Sequence, residues 1–216
     1  HGIPVIDDCI EAFGSEYKGK KLGNVGTDVT IFSFSPVRIP NTLDGGAIIF
    51  KDTNLYNKSL MIRDAGIDRT KFRDTLGEIN PGCDITMIGH SATMIEVNSY
   101  IGIQQMEKIE WIIKKQRDNA DCWQNLELGT IGIKPINAKH SNPNYWVFGT
   151  LAKLNKRKTI QLLRKKGIYA SSVHINNNIY SVFNDKSTLK GVNEFNNAFI
   201  ALPSGWWVEK ENIKID

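Results

Sequence analysis

Val29–Phe50, VTIFSFSPVRIPNTLDGGAIIF, is the stretch from which the rest of the chain can be read. Val29–Phe34 and Ala47–Phe50 are short apolar runs rich in β-branched and aromatic residues and bounded by turn residues, so both predict buried strands. Between them lies a polar loop. With its approach it carries Ser33 and Ser35, Pro36 and Pro40, Arg38, and Asp44-Gly45-Gly46. A strand, a small-residue loop and a second strand can present backbone N–H groups and hydroxyls to an anion. Many such loops are plain connections, so the meaning of this one depends on Asp8 and Glu11 upstream and Gly89-His90-Ser91 downstream.

Working outward, Ile3–Ile6 predicts a strand with Asp7 and Asp8 at its C-terminal end, the edge where open α/β sheets bind ligands. The same Asp8 suits the cap of a following Cys9–Phe13 turn. Gly14–Gly26 has neither Walker nor dinucleotide spacing and reads as a surface excursion. Thr53–Ala65 predicts a helix ending at Gly66, and residues 67–84 a long loop. Gly89-His90-Ser91-Ala92 leads into a helix whose buried stripe is Gly102, Met106, Ile109 and Ile113, running on toward Trp123 as a spine between two domains. The expected division is residues 1–120 and 121–216, with the boundary in 115–128. In the second part, strands at Tyr145–Thr150, Ile168–Ile175 and Phe199–Leu202 alternate with helices at Lys156–Lys166 and Glu194–Ala198. This predicts a smaller α+β domain.

Composition narrows the classes. The 216 residues are 41% hydrophobic and 23% charged, with a formal charge of +4, ordinary for a globular protein. That charge suits an anionic small molecule and is too weak to argue for nucleic acid. Lys153–Lys166 is rich in cations, but the aromatics are not interleaved with the charges, and it reads as a solvated helix face. Cys9, Cys83 and Cys122 are widely spaced and odd in number, which predicts reduced thiols and no structural metal. No apolar run reaches the roughly 18 residues of a membrane span, and no signal-peptide pattern stands at the front, so a cytoplasmic protein without membrane contact is expected. The chain opens on His1 and enters an apolar run by Val5, which predicts a piece of a longer polypeptide.

The order of these pieces resembles the DegT/StrS-type nucleotide-sugar aminotransferases, pyridoxal-phosphate (PLP) enzymes of the aspartate-aminotransferase fold. The resemblance runs through Val5-Ile6-Asp7-Asp8-Cys9-Ile10-Glu11-Ala12, then Gly26-Thr27-Asp28, Ser33-Phe34 and Asp44-Gly45-Gly46. It continues through Gly89-His90-Ser91 with Gly102 and Gln105, then Lys166-Gly167-Ile168, Val173-His174 and Leu202-Pro203. It implies PLP fold type I: an α/β chain holding the C-terminal part of the large domain plus a small α+β domain. Asp8 would then face the pyridine nitrogen, where a carboxylate favours the protonated ring, and Glu11 would lie beside the ring oxygen. Ser33 would bind the cofactor phosphate and Ser91 that of the partner subunit, and His174 would stand near the sugar, a position a satisfied strand-end histidine fits equally. The implied partners are a keto nucleotide-sugar, an amino donor such as glutamate, and a second copy of the chain in a homodimer, in amino-sugar or surface-polysaccharide synthesis.

Three features depart from the family pattern. Arg38 stands where the family has the lysine that joins the cofactor as a Schiff base. A guanidinium is neither an imine-forming amine nor a base, though its fork suits an anion, and Lys51, past the second strand, offers no substitute. Ser91 replaces an asparagine and can still donate one hydrogen bond. The family's ring-stacking residue would precede residue 1. Two further readings stand beside the aminotransferase: a catalytically silent nucleotide-sugar binder, and a lysine-free sugar dehydratase working with PLP or pyridoxamine phosphate.

Overall fold

Alternation along one strand organises the first half of the chain. In the computed structural model, which describes residues 2–184 and 187–215, β4 (Val29–Ser33) buries Thr30 and Phe32 and leaves their neighbours half-buried, the period-two pattern of a strand covered on one face. β1 (Ile6–Asp8) lies parallel to β4, with Ile6 opposite Val29 and Asp8 opposite Ile31. β5 (Gly46–Phe50) runs antiparallel on the other side, with Ser33 opposite Gly46. A Cβ on Gly46 would sit 2.5 Å from the carbonyl oxygen of Phe32, so this rung accepts only glycine.

The expectation of two buried strands holds for β4 alone. β5 leaves Ile48 52% exposed, because α1 (Thr53–Arg63), the helix that packs beside it, buries none of its own residues. Asp52 caps α1 by accepting from the Leu55 amide at 2.8 Å. The helix closes through Ala65 and Gly66, both in the left-handed region. In the Gly14–Gly26 excursion, β2 (Glu16–Tyr17) and β3 (Lys20–Lys21) form a hairpin over Lys18 and Gly19, whose positive φ values suit a tight two-residue turn.

The expected spine is two helices, α2 (Glu96–Met106) and α3 (Ile109–Gln124). The stripe divides with them. Ile109 and Ile113 are buried, whereas Met106 is exposed and α2 buries no residue: Val97, Tyr100 and Ile103 follow one another by three along an exposed face.

The chain divides into two compact units, residues 1–109 and 110–216. The second has the better-formed core. β6 (Ile133–Pro135), β8 (Phe148–Ala152) and β9 (Phe199–Leu202) make an antiparallel sheet in the order β6-β8-β9; a two-residue strand, β7 (Ser141–Asn142), precedes β8. α4 (Lys156–Lys165) and α5 (Lys190–Ala198) are the other helices of this unit. Trp123, Ile133, Leu163, Ile200 and Leu202 are fully buried together. Trp123 Nε1 donates to the Pro203 carbonyl at 2.7 Å, and buried Asn119 donates to the carbonyls of Gly205 and Val208 at 2.9 and 3.0 Å. These bonds satisfy backbone groups of the closing segment that burial would otherwise leave unpaired. The strand expected at Ile168–Ile175 does not form. Only Ser171 bridges to Ala201, and the left-handed backbone of His174 ends the extended run. No helix among the described residues is long and apolar enough to cross a membrane.

Leu163 has no accessible surface. Leu163→Ala is expected to lower stability by about 2–5 kcal/mol, the range for emptying a sealed core position, read as a reduced urea midpoint at unchanged slope.

Candidate functional site

Parallel pairing of β1 with β4 brings two of the expected residues to one edge. Asp8 closes β1 and is exposed, and Ser33 closes β4, so both lie at the C-terminal ends of neighbouring strands. Asp8 Oδ1 accepts from the Ile10 amide at 3.3 Å. Residues 9–13 form a turn, with the Ala12 amide donating to the Cys9 carbonyl, so the capping role and an accessible carboxylate coexist. Ser33 Oγ accepts from the Ser35 amide at 3.4 Å. Between Asp8 and that turn, Cys9 is buried. Desolvation first, then the charges of Asp7 and Asp8, push its thiol up to about 11, which keeps it protonated and unreactive.

The loop after Ser33 brings Arg38 to Glu11. Arg38 Nη1 donates to Glu11 Oε1 at 2.9 Å, with the arginine side chain 14% exposed. This is a charge-assisted bond in partly excluded water, stronger than a surface pair. Sequence reasoning placed each residue in the site separately and missed that they neutralise each other. The loop is held along its length: the Arg38 amide donates to Ser35, Asn41 Nδ2 to the Pro36 carbonyl, the Thr42 amide to the Phe34 carbonyl, and Asn98 Nδ2 to the Asp44 carbonyl. Gly45 has φ +117°, and a Cβ there would press on Met94 at 3.2 Å.

Ser91 is exposed and stands apart from this group, held against the end of α1. Asp64 bridges to Ser91, the Ala65 amide donates to the His90 carbonyl, and the Ala92 amide donates to the Arg63 carbonyl. The two chains approach so closely that a Cβ on Gly89 would stand 2.2 Å from the Gly66 nitrogen. Asp64 is the residue that sequence reasoning overlooked. Its buried carboxylate accepts from Arg63 at 2.8 and 3.1 Å and lies 3.5 Å from Arg69. An acid followed by Ala-Gly at a helix end was its only sequence signal. His174 belongs to the second unit, exposed, with its ring nearly parallel to Trp146 at 6.3 Å between centroids.

The side chains at this edge fit one end of a phosphate-bearing, protonatable ring: a carboxylate for a cationic nitrogen and a hydroxyl for an anion. They do not fit covalent capture of an aldehyde, because the residue placed for that task is an arginine paired to Glu11.

Comparison with known proteins gives the family and the fold. The model of the DegT/DnrJ/EryC1/StrS aminotransferase family matches residues 1–215. A UDP-4-amino-4,6-dideoxy-N-acetyl-β-L-altrosamine transaminase of Campylobacter jejuni is 34% identical over 62% of this chain and 35% of its own. The transaminase of the same description from Helicobacter pylori is 27% identical over 94% of this chain and 54% of its own. The crystal structure of the sugar aminotransferase CalS13 from Micromonospora echinospora superposes with a TM-score of 0.85 at 24% identity, covering 99% of this chain and 56% of that one. At that identity the likeness carries the fold. The chain spans between about a third and just over half of the length of these curated relatives.

The support beneath Ser91 can be tested by pH. The hydrogen bond from Arg63, then the charges of Arg63 and Arg69, hold the Asp64 carboxyl below its usual range against the opposing effect of burial. A depressed carboxyl stabilises the fold fully above its unfolded value and loses that contribution as pH falls through its folded value. Asp64→Asn is therefore expected to cost about 1–3 kcal/mol near neutral pH, and the gap from the parent should close as urea titrations move below the ordinary carboxylate range.

Proposed function

The chain belongs to the DegT/DnrJ/EryC1/StrS aminotransferase family, and from that premise we propose that it is the cofactor- and sugar-handling part of a PLP-dependent nucleotide-sugar aminotransferase homologue. The observation that carries the reading is the placement of Asp8 and Ser33 at one sheet edge by the β1–β4 register. The substrate is a keto sugar on a nucleotide and the donor an amino acid such as glutamate. The working form is a cytoplasmic homodimer in amino-sugar or surface-polysaccharide synthesis. The large domain ends and the small one begins near residue 120.

PLP bound at this edge supplies an electron sink for the carbon that loses its proton. Asp8 keeps the ring nitrogen protonated by opposite charge. Ser33 and the amides of its loop bind the phosphate, and Ser91 reaches the phosphate held by the partner subunit of the homodimer. Glu11 would stand beside the ring oxygen, its charge offset by Arg38. His174 contacts the sugar. Arg38 neither links to the cofactor nor accepts a proton, so the cofactor is held by non-covalent contacts alone.

Absorbance of the full-length protein with PLP, before and after borohydride and dialysis, tests this. A visible band is expected that borohydride cannot fix to the chain, with Asp8→Ala weakening PLP binding at least tenfold, a loss of about 1.4 kcal/mol. Arg38→Lys is expected to yield a borohydride-stable adduct at residue 38, found by peptide mass. No band in the parent protein would overturn the cofactor reading. A fixed adduct in the parent would show that another lysine has taken the role.

A further inference from the structure

The charge of this chain is unevenly distributed. Residues 128–184 contain nine Lys and Arg and no Asp or Glu, a formal +9, whereas the remainder sums to −5. Seven of the nine cations fall between Lys153 and Lys166, in α4 and its two ends. The fold turns one inward: Lys156 Nζ donates to the Asn196 carbonyl. Lys153, Arg157, Lys158, Arg164, Lys165 and Lys166 are exposed, while Thr159 and Leu163 form the buried side of the helix.

Apolar groups stand among those cations. Leu154 is 81% exposed and Leu162 43%. Leu162 follows Lys158 by four residues and precedes Lys165 by three, so these three share a helix face. Tyr169 is 72% exposed, with the Arg164 guanidinium 4.9 Å from its ring centroid and Arg164 Nε bonded to the Ala170 carbonyl at 2.9 Å. A shallow cleft of about 450 Å³ beside this pair is lined by Gln161, Arg164 and Lys165. The expectation of a simple solvated face rested on aromatics lying apart from the charges. The structure sets a tyrosine against an arginine and leaves two leucines outside.

We infer that the exposed face of α4, from Lys153 to Tyr169, is a docking surface for an anionic lipid bilayer, to which the protein binds peripherally. A polybasic helix is drawn to anionic headgroups, and its apolar side chains enter the boundary between headgroups and acyl chains. The Gln161–Arg164–Lys165 cleft receives a phosphoryl group, and Tyr169 lies at the interface as amphipathic rings do. Exposed leucines within the patch, Leu154 at one end and Leu162 inside it, favour a bilayer over a nucleic acid, whose backbone calls for cations alone. Like charge across the whole face opposes pairing with the same face of a second copy. None of these residues belongs to the cofactor edge, so the inference stands apart from the proposed chemistry.

Co-sedimentation of the full-length protein with phosphatidylcholine vesicles, pure or mixed with phosphatidylglycerol, is the test. The protein is expected to pellet with the mixed vesicles, to remain in solution with the neutral ones, and to be released by high salt. Lys158→Glu with Lys165→Glu should lower partitioning at least tenfold. Leu154→Ser with Leu162→Ser should lower it severalfold while leaving retention on heparin unchanged. All four positions are exposed, and far-UV circular dichroism should show parent-like helix. Absence of binding to mixed vesicles would overturn the proposal. So would binding that ignores the charge reversals, or binding that the leucine variants leave intact, which would mark a general polyanion surface.

Discussion

The first unit depends on a single parallel pairing. Val5 and Asp28 lock β1 to β4 from both directions: the Val5 amide donates to Asp28 Oδ2 at 2.8 Å, and the Val5 carbonyl accepts from the amides of Asp28 and Val29. This clamp sets the register, and the register decides which residues reach the ligand-binding edge. A slip of one residue would turn Asp8 to the other face and remove the carboxylate from Ser33's end of the sheet. The aspartate of Gly26-Thr27-Asp28, which in sequence is only a motif position, is thus the residue that aligns the site.

Against this frame the Arg38–Glu11 pair has a defined meaning. Each charge alone would be costly where water is partly excluded, and together they are compatible with the fold. The pair also fixes the direction of the Ser33–Asp44 loop from its middle, while hydrogen bonds from Asn41, Thr42 and Asn98 secure its remainder. The loop is therefore preorganised by its own side chains. Its shape comes from a salt bridge.

What the sequence revealed and what it hid follow from the range of the interactions involved. β4, α1, α4 and β9 were legible because their signals are local: short apolar runs, helical periodicity and a glycine stop. Asp8, Glu11, Ser33 and Arg38 were legible as site candidates through motif order. The Arg38–Glu11 bond spans 27 residues, and the Asp64–Ser91 bridge also joins distant segments; no local pattern encodes either. The failed strand at 168–175 has the opposite cause. Its residues favour extended backbone, but Ser171 alone finds a partner strand, and propensity without a partner does not make a sheet. α2 was misjudged on its buried stripe because apolar spacing reports which face could be covered, and within α2 the described chain packs against Gly102 and leaves Met106 exposed.

β1 is the outermost strand of its sheet as described, and the apolar residues Val5 and Ile6 along it are exposed. Such an edge can template pairing with another chain, and here its three-residue length and the carboxylates of Asp7 and Asp8 oppose that. In material terms the solubility of concentrated preparations leans on those two charges, which repel a second copy of the same strand.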